Sequence, residues 1–299
     1  MKSVKRKIWL IAGPTASGKS ALAMEMAAKH EAVIVNTDSM QVYAHLRLIT
    51  ARPSKEDETL VPHTLYGHID PADAYSTAKW VSDVEAMLAG LDDKQPVIFV
   101  GGTGLYFKAL LVGISDMPDI PEGVRERWRY RLLEDGAPKL HRLLRAQDPD
   151  GALLIKPNDG QRIVRAMEVF EATGKPLSYW QGNRRPVLGC NEKVEKIVVM
   201  PDRETTRARI KRRFETILND GGVEEVQQLL QRKLSPSLPA MKAIGVSVCR
   251  ALIEGEVDYA AALERGSIET AQYAKRQRTW FRNQFDENWR VLETSLPVP

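Results

Sequence analysis

Apolar runs and helical periodicity alternate along the first third of the chain. Ile8-Trp9-Leu10-Ile11-Ala12 is continuously apolar and stops at Gly13, which predicts a buried strand. Ala21 to Lys29 follows with helical spacing. Val33-Ile34-Val35 is a short β-branched run ending at Asn36-Thr37-Asp38-Ser39. Ser76 reads as the N-cap of a helix running through Leu88. Pro96-Val97-Ile98-Phe99-Val100 is another buried strand, ending at Gly101-Gly102-Thr103-Gly104, and helical pattern resumes from Leu105 to Leu111. Strands that alternate with helices predict an α/β fold with a parallel sheet and helices on both faces. Ligands bind beyond the carboxyl ends of such strands. Three of those ends carry polar or glycine-rich tips, and they are expected to converge on one site.

The pattern then changes. Asp116-Met117-Pro118-Asp119-Ile120-Pro121 reads as a proline-punctuated linker. From Glu122 to about Trp180 the periodicity is helical and arginine-rich, with Arg125, Arg127, Arg129, Arg131, Arg142, Arg145, Arg162 and Arg165. Thr173-Gly174-Lys175-Pro176 stops one of these helices. Val194 to Met200 reads as a strand returning to the sheet, and helical pattern dominates from Asp202. The expected organisation is an all-helical insertion over 118–193 in an α/β core of 1–117 and 194–299.

Composition narrows the setting. The two cysteines, Cys190 and Cys249, make neither a disulfide framework nor a zinc knuckle, and suit a reducing compartment. No apolar run approaches the roughly 20 residues of a membrane span. The basic stretch Met1 to Lys7 leads into the first strand without a signal-type segment, so a cytoplasmic protein is expected. Net charge is +4 but uneven: residues 1–120 hold 12 Lys+Arg and 14 Asp+Glu, and residues 121–299 hold 31 and 25. That asymmetry points to a large anionic partner such as nucleic acid.

Gly13-Pro14-Thr15-Ala16-Ser17-Gly18-Lys19-Ser20 is a complete GxxxxGK[ST] phosphate loop between strand and helix. Its backbone N–H groups and the helix N-terminus make an anion cradle. Lys19 supplies a point charge for terminal phosphates, and Ser20 can ligate Mg2+. The motif alone leaves the phosphate compound open, so a small-molecule kinase using ATP is one reading. Asp38, one strand on, is either a magnesium ligand, a general base or a turn-capping carboxylate. Thr103 offers a hydroxyl in a glycine-rich turn. Arg203 to Arg213 holds six cations around the apolar stripe Ile210, Phe214, Ile217 and Leu218; Arg209 and Arg213 share a side suited to a phosphate, and the others read as solvated. Lys275-Arg276-Gln277-Arg278-Thr279-Trp280-Phe281-Arg282 interleaves cations with aromatics, as an RNA surface or as a core stripe with solvated cations. His63 and His68 have poor ligand spacing, and no metal other than magnesium is expected.

These segments together resemble the bacterial tRNA dimethylallyltransferases (tRNA isopentenyltransferases). Besides the phosphate loop, the matching blocks are Asp-Ser-Met-Gln-Val-Tyr at 38–43, Thr-Ala-Arg-Pro-Ser at 50–54, Gly-Gly-Thr-Gly-Leu-Tyr at 101–106, Gln-Arg-Ile-Val-Arg-Ala-Met-Glu-Val at 161–169, Thr-Gly-Lys-Pro-Leu-Ser at 173–178, Ala-Ile-Gly at 243–245 and Lys-Arg-Gln-Arg-Thr-Trp-Phe-Arg at 275–282. The resemblance implies a P-loop NTPase-like fold. It implies transfer of a dimethylallyl group from its diphosphate to N6 of the adenosine 3′ of the anticodon. It makes Asp38 the base, Thr103 a residue near the reacting centre, and Lys19 and Arg213 the cations that meet pyrophosphate, with Mg2+ on Ser20. It implies tRNA contacts from Asp38, Ser39, Met40, Gln41, Thr103, Arg125, Gln161, Arg162, Ile163, Val164, Arg165 and Lys275 to Arg282. A monomer that binds the tRNA anticodon stem-loop and dimethylallyl diphosphate, and no membrane, is the expectation.

Overall fold

A computed structural model describes residues 6–115, 117–182, 184–189 and 192–293. Cys190, Asp116 of the expected linker and the first five residues of the basic N-terminus lie outside that set. The chain runs β1 (Lys7–Ala12), α1 (Lys19–His30), β2 (Val33–Asn36), α2 (Arg47–Thr50), α3 (Lys55–Leu60), β3 (His63–Thr64), α4 (Thr77–Gly90), β4 (Val97–Gly101) and α5 (Gly104–Leu111). It continues through β5 (Ile114–Ser115), α6 (Glu122–Asp135), α7 (Ala137–Gln147), α8 (Pro149–Leu154), α9 (Gly160–Thr173), α10 (Leu177–Trp180) and β6 (Arg184–Arg185). It ends with β7 (Lys193–Val199), α11 (Arg203–Asn219), α12 (Gly222–Gln231), α13 (Val246–Ile253), α14 (Tyr259–Gln284) and β8 (Arg290–Leu292).

Six strands form one sheet in the order β3-β2-β4-β1-β7-β8, with every pair parallel. The apolar runs are continuous because both sheet faces are covered. Trp9, Ile11, Ile34, Ile98, Val100, Ile197 and Val199 share one buried face with Ala23 and Ala27 of α1. The alternate positions Ile8, Leu10, Val35, Phe99 and Val198 point to the other face and are also buried. Ser76 caps α4 as expected, its hydroxyl accepting from Lys79 N at 3.2 Å. β3 and β8 were not expected: each is short, and β8 opens on an exposed arginine, so neither carries an apolar run.

The chain divides into two compact units. One comprises residues up to Leu110 and from Leu188 onward, and the other is Leu111–Val187. The second unit starts earlier than 118, and it is not wholly helical. Its base is a short antiparallel ribbon pairing Ile114 with Arg185 and Ser115 with Arg184. Gly113 precedes it at φ +87°, where an added Cβ would lie 2.3 Å from the Arg185 backbone. The core of this unit gathers Trp128, Leu140, Leu144, Ile163, Val164 and Met167 from α6, α7 and α9.

In the first unit, a separate core joins α2 to α11, α12, α13 and α14 through Leu46, Ile49, Phe214, Val226, Cys249 and Ala262. One carboxylate fixes α2. Glu225 of α12 accepts from the N–H groups of Arg47, Leu48 and Ile49 at 2.6, 3.0 and 2.9 Å. It satisfies three donors that a helix start leaves free and sits at the positive end of the helix dipole. Replacing Glu225 with Ala is therefore expected to destabilise the protein by about 1–3 kcal/mol, the range for hydrogen bonds to a charged group. Urea unfolding followed by circular dichroism measures this, and a loss below ~0.5 kcal/mol would refute the assignment.

Candidate active site

The phosphate loop leaves β1 and turns into α1 through backbone that few residues adopt. Ala16 has φ +60° and Gly18 has φ +90°. The loop wraps its own Ser17, whose buried hydroxyl has no protein partner. Lys19 is half-buried and its ammonium donates to Pro14 O at 3.2 Å, while Ser20 is exposed at the first turn of α1. Both arginines expected to face a phosphate do reach the loop. Arg213 Nη1 donates to Thr15 Oγ1 at 2.9 Å, and Arg209 Nη1 donates to Ser17 O at 3.4 Å. Burial lowers the Lys19 pKa to about 8; Arg213 adds to the shift and Asp38 opposes it. Arg213 is itself pushed down by burial and held up by Asp38.

Asp38 sits just past β2 in a turn built by its neighbours. Asn36 Oδ1 accepts from Asp38 N at 2.8 Å, and Asn36 Nδ2 donates to Asp38 O at 2.9 Å and to Leu65 O at 3.0 Å. Asp38 Oδ1 accepts from Met40 N at 3.0 Å. The capping role weighed from sequence is thus real, but it engages one carboxylate oxygen. Oδ2 faces Gly102, where an added Cβ would lie 3.3 Å away. Thr103 Oγ1 accepts from Ser39 N at 2.9 Å, which ties the β4 turn to the β2 turn.

Gln277 of α14 joins these loops. Its Oε1 accepts from Thr15 N at 2.9 Å and its Nε2 donates to Gly102 O at 2.9 Å. One buried amide therefore spans the tips of β1 and β4. Gly102 is required there, because a Cβ would meet Gln277 Nε2 at 2.2 Å. Gly104 is under the same constraint, since a Cβ on it would lie 2.1 Å from the Trp280 ring.

Around this frame lie two cavities. One, of about 280 Å³, is lined by Thr15, Lys19, Asp38, Arg213, Tyr273 and Arg276 among others, with Ile49, Phe214 and Ile217 as apolar wall. Gln41 also borders it, its amide donating to Thr50 O and Ala51 O at 2.9 Å each. The other, of about 690 Å³, is bounded by the phosphate loop, Arg52, His63, Tyr66, Arg209 and Arg213. Burial and the Asp38 charge push the Tyr66 and Tyr273 hydroxyl pKa values up, so both stay neutral hydrogen-bonding groups. Lys19 and Arg213 line both cavities, with Asp38 the carboxylate of the smaller one and Asp57 that of the larger. An acid–base group and an anion site thus share one enclosure.

Several residues expected to meet RNA are engaged otherwise. Phe281 is 1 % exposed and stacks on Phe285 at 5.0 Å. Ile163 and Val164 belong to the core of the second unit. Gln277 has both amide atoms on the loops. These are corrections with one cause: within a helical block that faces a ligand, every third or fourth side chain turns inward. Arg162 and Arg165 remain more exposed, paired with Asp159 and Glu168 at 3.2 and 3.5 Å. Gln161 is exposed, and Arg125 pairs with Glu122 at 3.7 Å. Lys275, Arg276, Thr279 and Arg282 are exposed on α14. Sequence reading missed Gln277 as a brace and Asn36 as the residue shaping the Asp38 turn. Only their places, in a motif and at a strand end, hinted at either. Among the described residues no group of three His, Cys, Asp or Glu side chains is arranged to hold a metal, and no helix is long and apolar enough to cross a membrane.

The family model for IPP transferase matches residues 41–284, and that for isopentenyl transferase matches residues 6–64. The chain is 56% identical to the tRNA dimethylallyltransferase of Chelativorans sp. (strain BNC1), covering 94% of this chain and 96% of that one. It is 53% identical to that of Rhizobium meliloti (strain 1021), over 95% and 94%. Among solved structures, the full-length tRNA isopentenylpyrophosphate transferase of Bacillus halodurans superimposes with a TM-score of 0.67 at 28% identity, covering 97% of this chain and 90% of that one. A eukaryotic dimethylallyltransferase acting on tRNA gives a TM-score of 0.76 at 26% identity, over 92% and 70%. With the family model, the near full-length similarity to curated relatives and the fold in agreement, the chain belongs to the IPP transferase family, the tRNA dimethylallyltransferases.

Proposed function

We propose that this chain transfers a dimethylallyl group from dimethylallyl diphosphate to N6 of the adenosine 3′-adjacent to the anticodon of tRNA, releasing pyrophosphate. The observation that supports it is the shared cavity: the Asp38 carboxylate stands in one enclosure with the phosphate loop, Lys19 and Arg213. Nitrogen N6 attacks the allylic carbon, the carbon–oxygen bond breaks, and the electron pair leaves on the diphosphate. Positive charge develops on the five-carbon group and negative charge on pyrophosphate. Lys19, Arg213 and the loop N–H groups stabilise the latter, the electrostatic contribution that usually dominates. Asp38 Oδ2 accepts the N6 proton, and Oδ1 stays tied to Met40 N so the carboxylate keeps its aim. The adenine must leave its stack to enter. Ser39, Met40, Gln41, Thr103, Lys275, Arg276, Arg278, Thr279, Trp280 and Arg282 face the RNA in this reading. The helical unit contributes Arg125, Gln161, Arg162 and Arg165 to the anticodon stem-loop.

Magnesium fits the donor set. Ser20 offers an exposed hydroxyl beside Lys19 and the protein supplies no carboxylate cage among the described residues, which suits an ion held largely by substrate phosphate oxygens and water. Bound there, Mg2+ would neutralise charge on the diphosphate. The setting is the cytoplasm, and the working form is a monomer. The rival reading, a kinase consuming ATP, shares the loop but gives no role to the arginine-rich helical unit. Mass analysis of tRNA nucleosides after incubation with a labelled five-carbon diphosphate decides between them. A five-carbon gain on adenosine is expected, and phosphate transfer from ATP without that gain would overturn the proposal.

Three consequences can be measured. Asp38→Ala is expected to lower kcat about 10²–10⁴-fold in single-turnover assays while tRNA affinity stays close to wild type; near-normal turnover would remove Asp38 as base. Gln277→Ala is expected to lower kcat/KM about 10–100-fold through lost alignment of the loops, matching about 1.4–2.8 kcal/mol. Lys19 titrates at about 8 in the donor-free protein, so donor affinity should weaken as pH rises from 7 to 9 and binding should take up a proton above pH 8. Calorimetry in buffers of different ionisation heat reads this. The sign for stability is opposite. The folded pKa lies below the unfolded 10.5, so the unfolded chain holds more protons between about 8 and 10.5 and the Lys19 contribution to stability rises with pH there. Lys19→Met should accordingly abolish transfer while raising stability at pH 7, read by thermal melting.

A further inference from the structure

α11 and α14 pack side by side and enclose a groove of about 560 Å³ next to Pro14. Arg203, Arg207 and Lys211 form one rail along α11, four residues apart and so about 6 Å apart in rise. Lys275, Arg278 and Arg282 form a facing rail along α14. Between the rails lies an apolar floor of Ile210, Ile268 and Ala271. No Asp or Glu lines the groove. None of the six cations has an ion-pair partner among the described residues, although most other arginines on helix faces do. Arg278 is pushed down in pKa first by burial and then by Arg203 and Arg282, with Asp202 opposing more weakly.

The same two helices carry the reaction side on an adjacent strip. Arg209 and Arg213 turn to the phosphate loop, and Tyr273 and Arg276 turn to the Asp38 cavity. Ile210 borders both the groove and that cavity, and Pro14 of the groove adjoins Thr15 of the cavity. A polyanion with one unit in the cavity therefore brings its neighbouring units to the groove. Two rails of cations over an apolar floor suit a sugar–phosphate backbone with a base or ribose resting between. Family resemblance covered the α14 rail alone, and sequence reading left Arg203, Arg207 and Lys211 to solvent.

We infer that the α11 rail, together with α14, clamps a stretch of the substrate RNA backbone outside the reactive nucleotide. This rests on the reading of tRNA as substrate. The test is the triple variant R203Q/R207Q/K211Q, measured for tRNA binding across salt concentration and for steady-state kinetics. Each lost phosphate contact should flatten the slope of log K against log salt by about 0.7–0.9, so a drop of about 2–3 is expected. The KM for tRNA should rise about tenfold or more, with kcat and the KM for the donor unchanged. The single Arg207→Gln should remove about one third of the slope change. A charge-matched control, K29Q/K79Q/K94Q at exposed positions elsewhere, should leave the slope intact. A wild-type slope in the α11 triple variant, or an equal loss in the control, would overturn the inference. Wild-type protein that neither binds nor prenylates tRNA would instead bring down the functional reading beneath it.

Discussion

The active region depends on one constraint: three loops from separate strands must keep fixed positions around a patch of excess positive charge. Lys19 of the phosphate loop and Arg209 and Arg213 of α11 crowd the end of the sheet and repel one another. Gln277 resolves this with a neutral amide. Its oxygen takes a phosphate-loop N–H and its nitrogen gives to Gly102 O, so the brace adds no charge to the cradle. A lysine or glutamate in its place would satisfy only one of the two partners. Asn36 performs the matching task beneath Asp38. The site therefore combines charged groups that act on ligands with uncharged amides that hold the backbone.

That division explains the electrostatics. Burial pushes the Lys19 pKa down to about 8, Asp38 opposes the shift and Arg213 adds to it. An anion placed beside Lys19 would favour its protonated form and raise the pKa back toward the ordinary lysine value. The charged Lys19 is thus an arrangement that costs stability, a common relation between function and stability. The tyrosines nearby stay neutral for the same reason, because burial and Asp38 both resist a second negative charge.

The parallel sheet was legible from sequence because its central strands are buried on both faces. Such strands read as unbroken apolar runs, as in β1, β2 and β4, while β7 is apolar only over Ile197–Val199 and carries Lys193, Glu195 and Lys196 before them. Edge strands β3 and β8 have two or three residues each and no such signal. The phosphate loop and the Arg209–Arg213 side were legible because their spacing is local. Gln277 and the Glu225 cap of α2 were not, because each depends on a partner far along the chain, whereas the core stripe that holds Phe281 was one of two readings of its segment. Polar residues in a cation-rich helix look like surface until the packing reveals which one faces inward. A block match to a family carries the same blind spot, since it marks a segment and not the side chains within it that point outward.

The root of the inserted unit has a consequence for how this architecture can change. Leu188 N donates to Leu110 O at 3.0 Å, so the chain leaves the catalytic unit and rejoins it at neighbouring residues. Within the second unit the entering and leaving segments pair as the two-pair ribbon. Residues can be gained or lost in that excursion without shifting any strand register, because the exit and entry points stay stapled to each other. The excursion is thereby free to diverge in size and surface while the sheet and its loops keep their geometry.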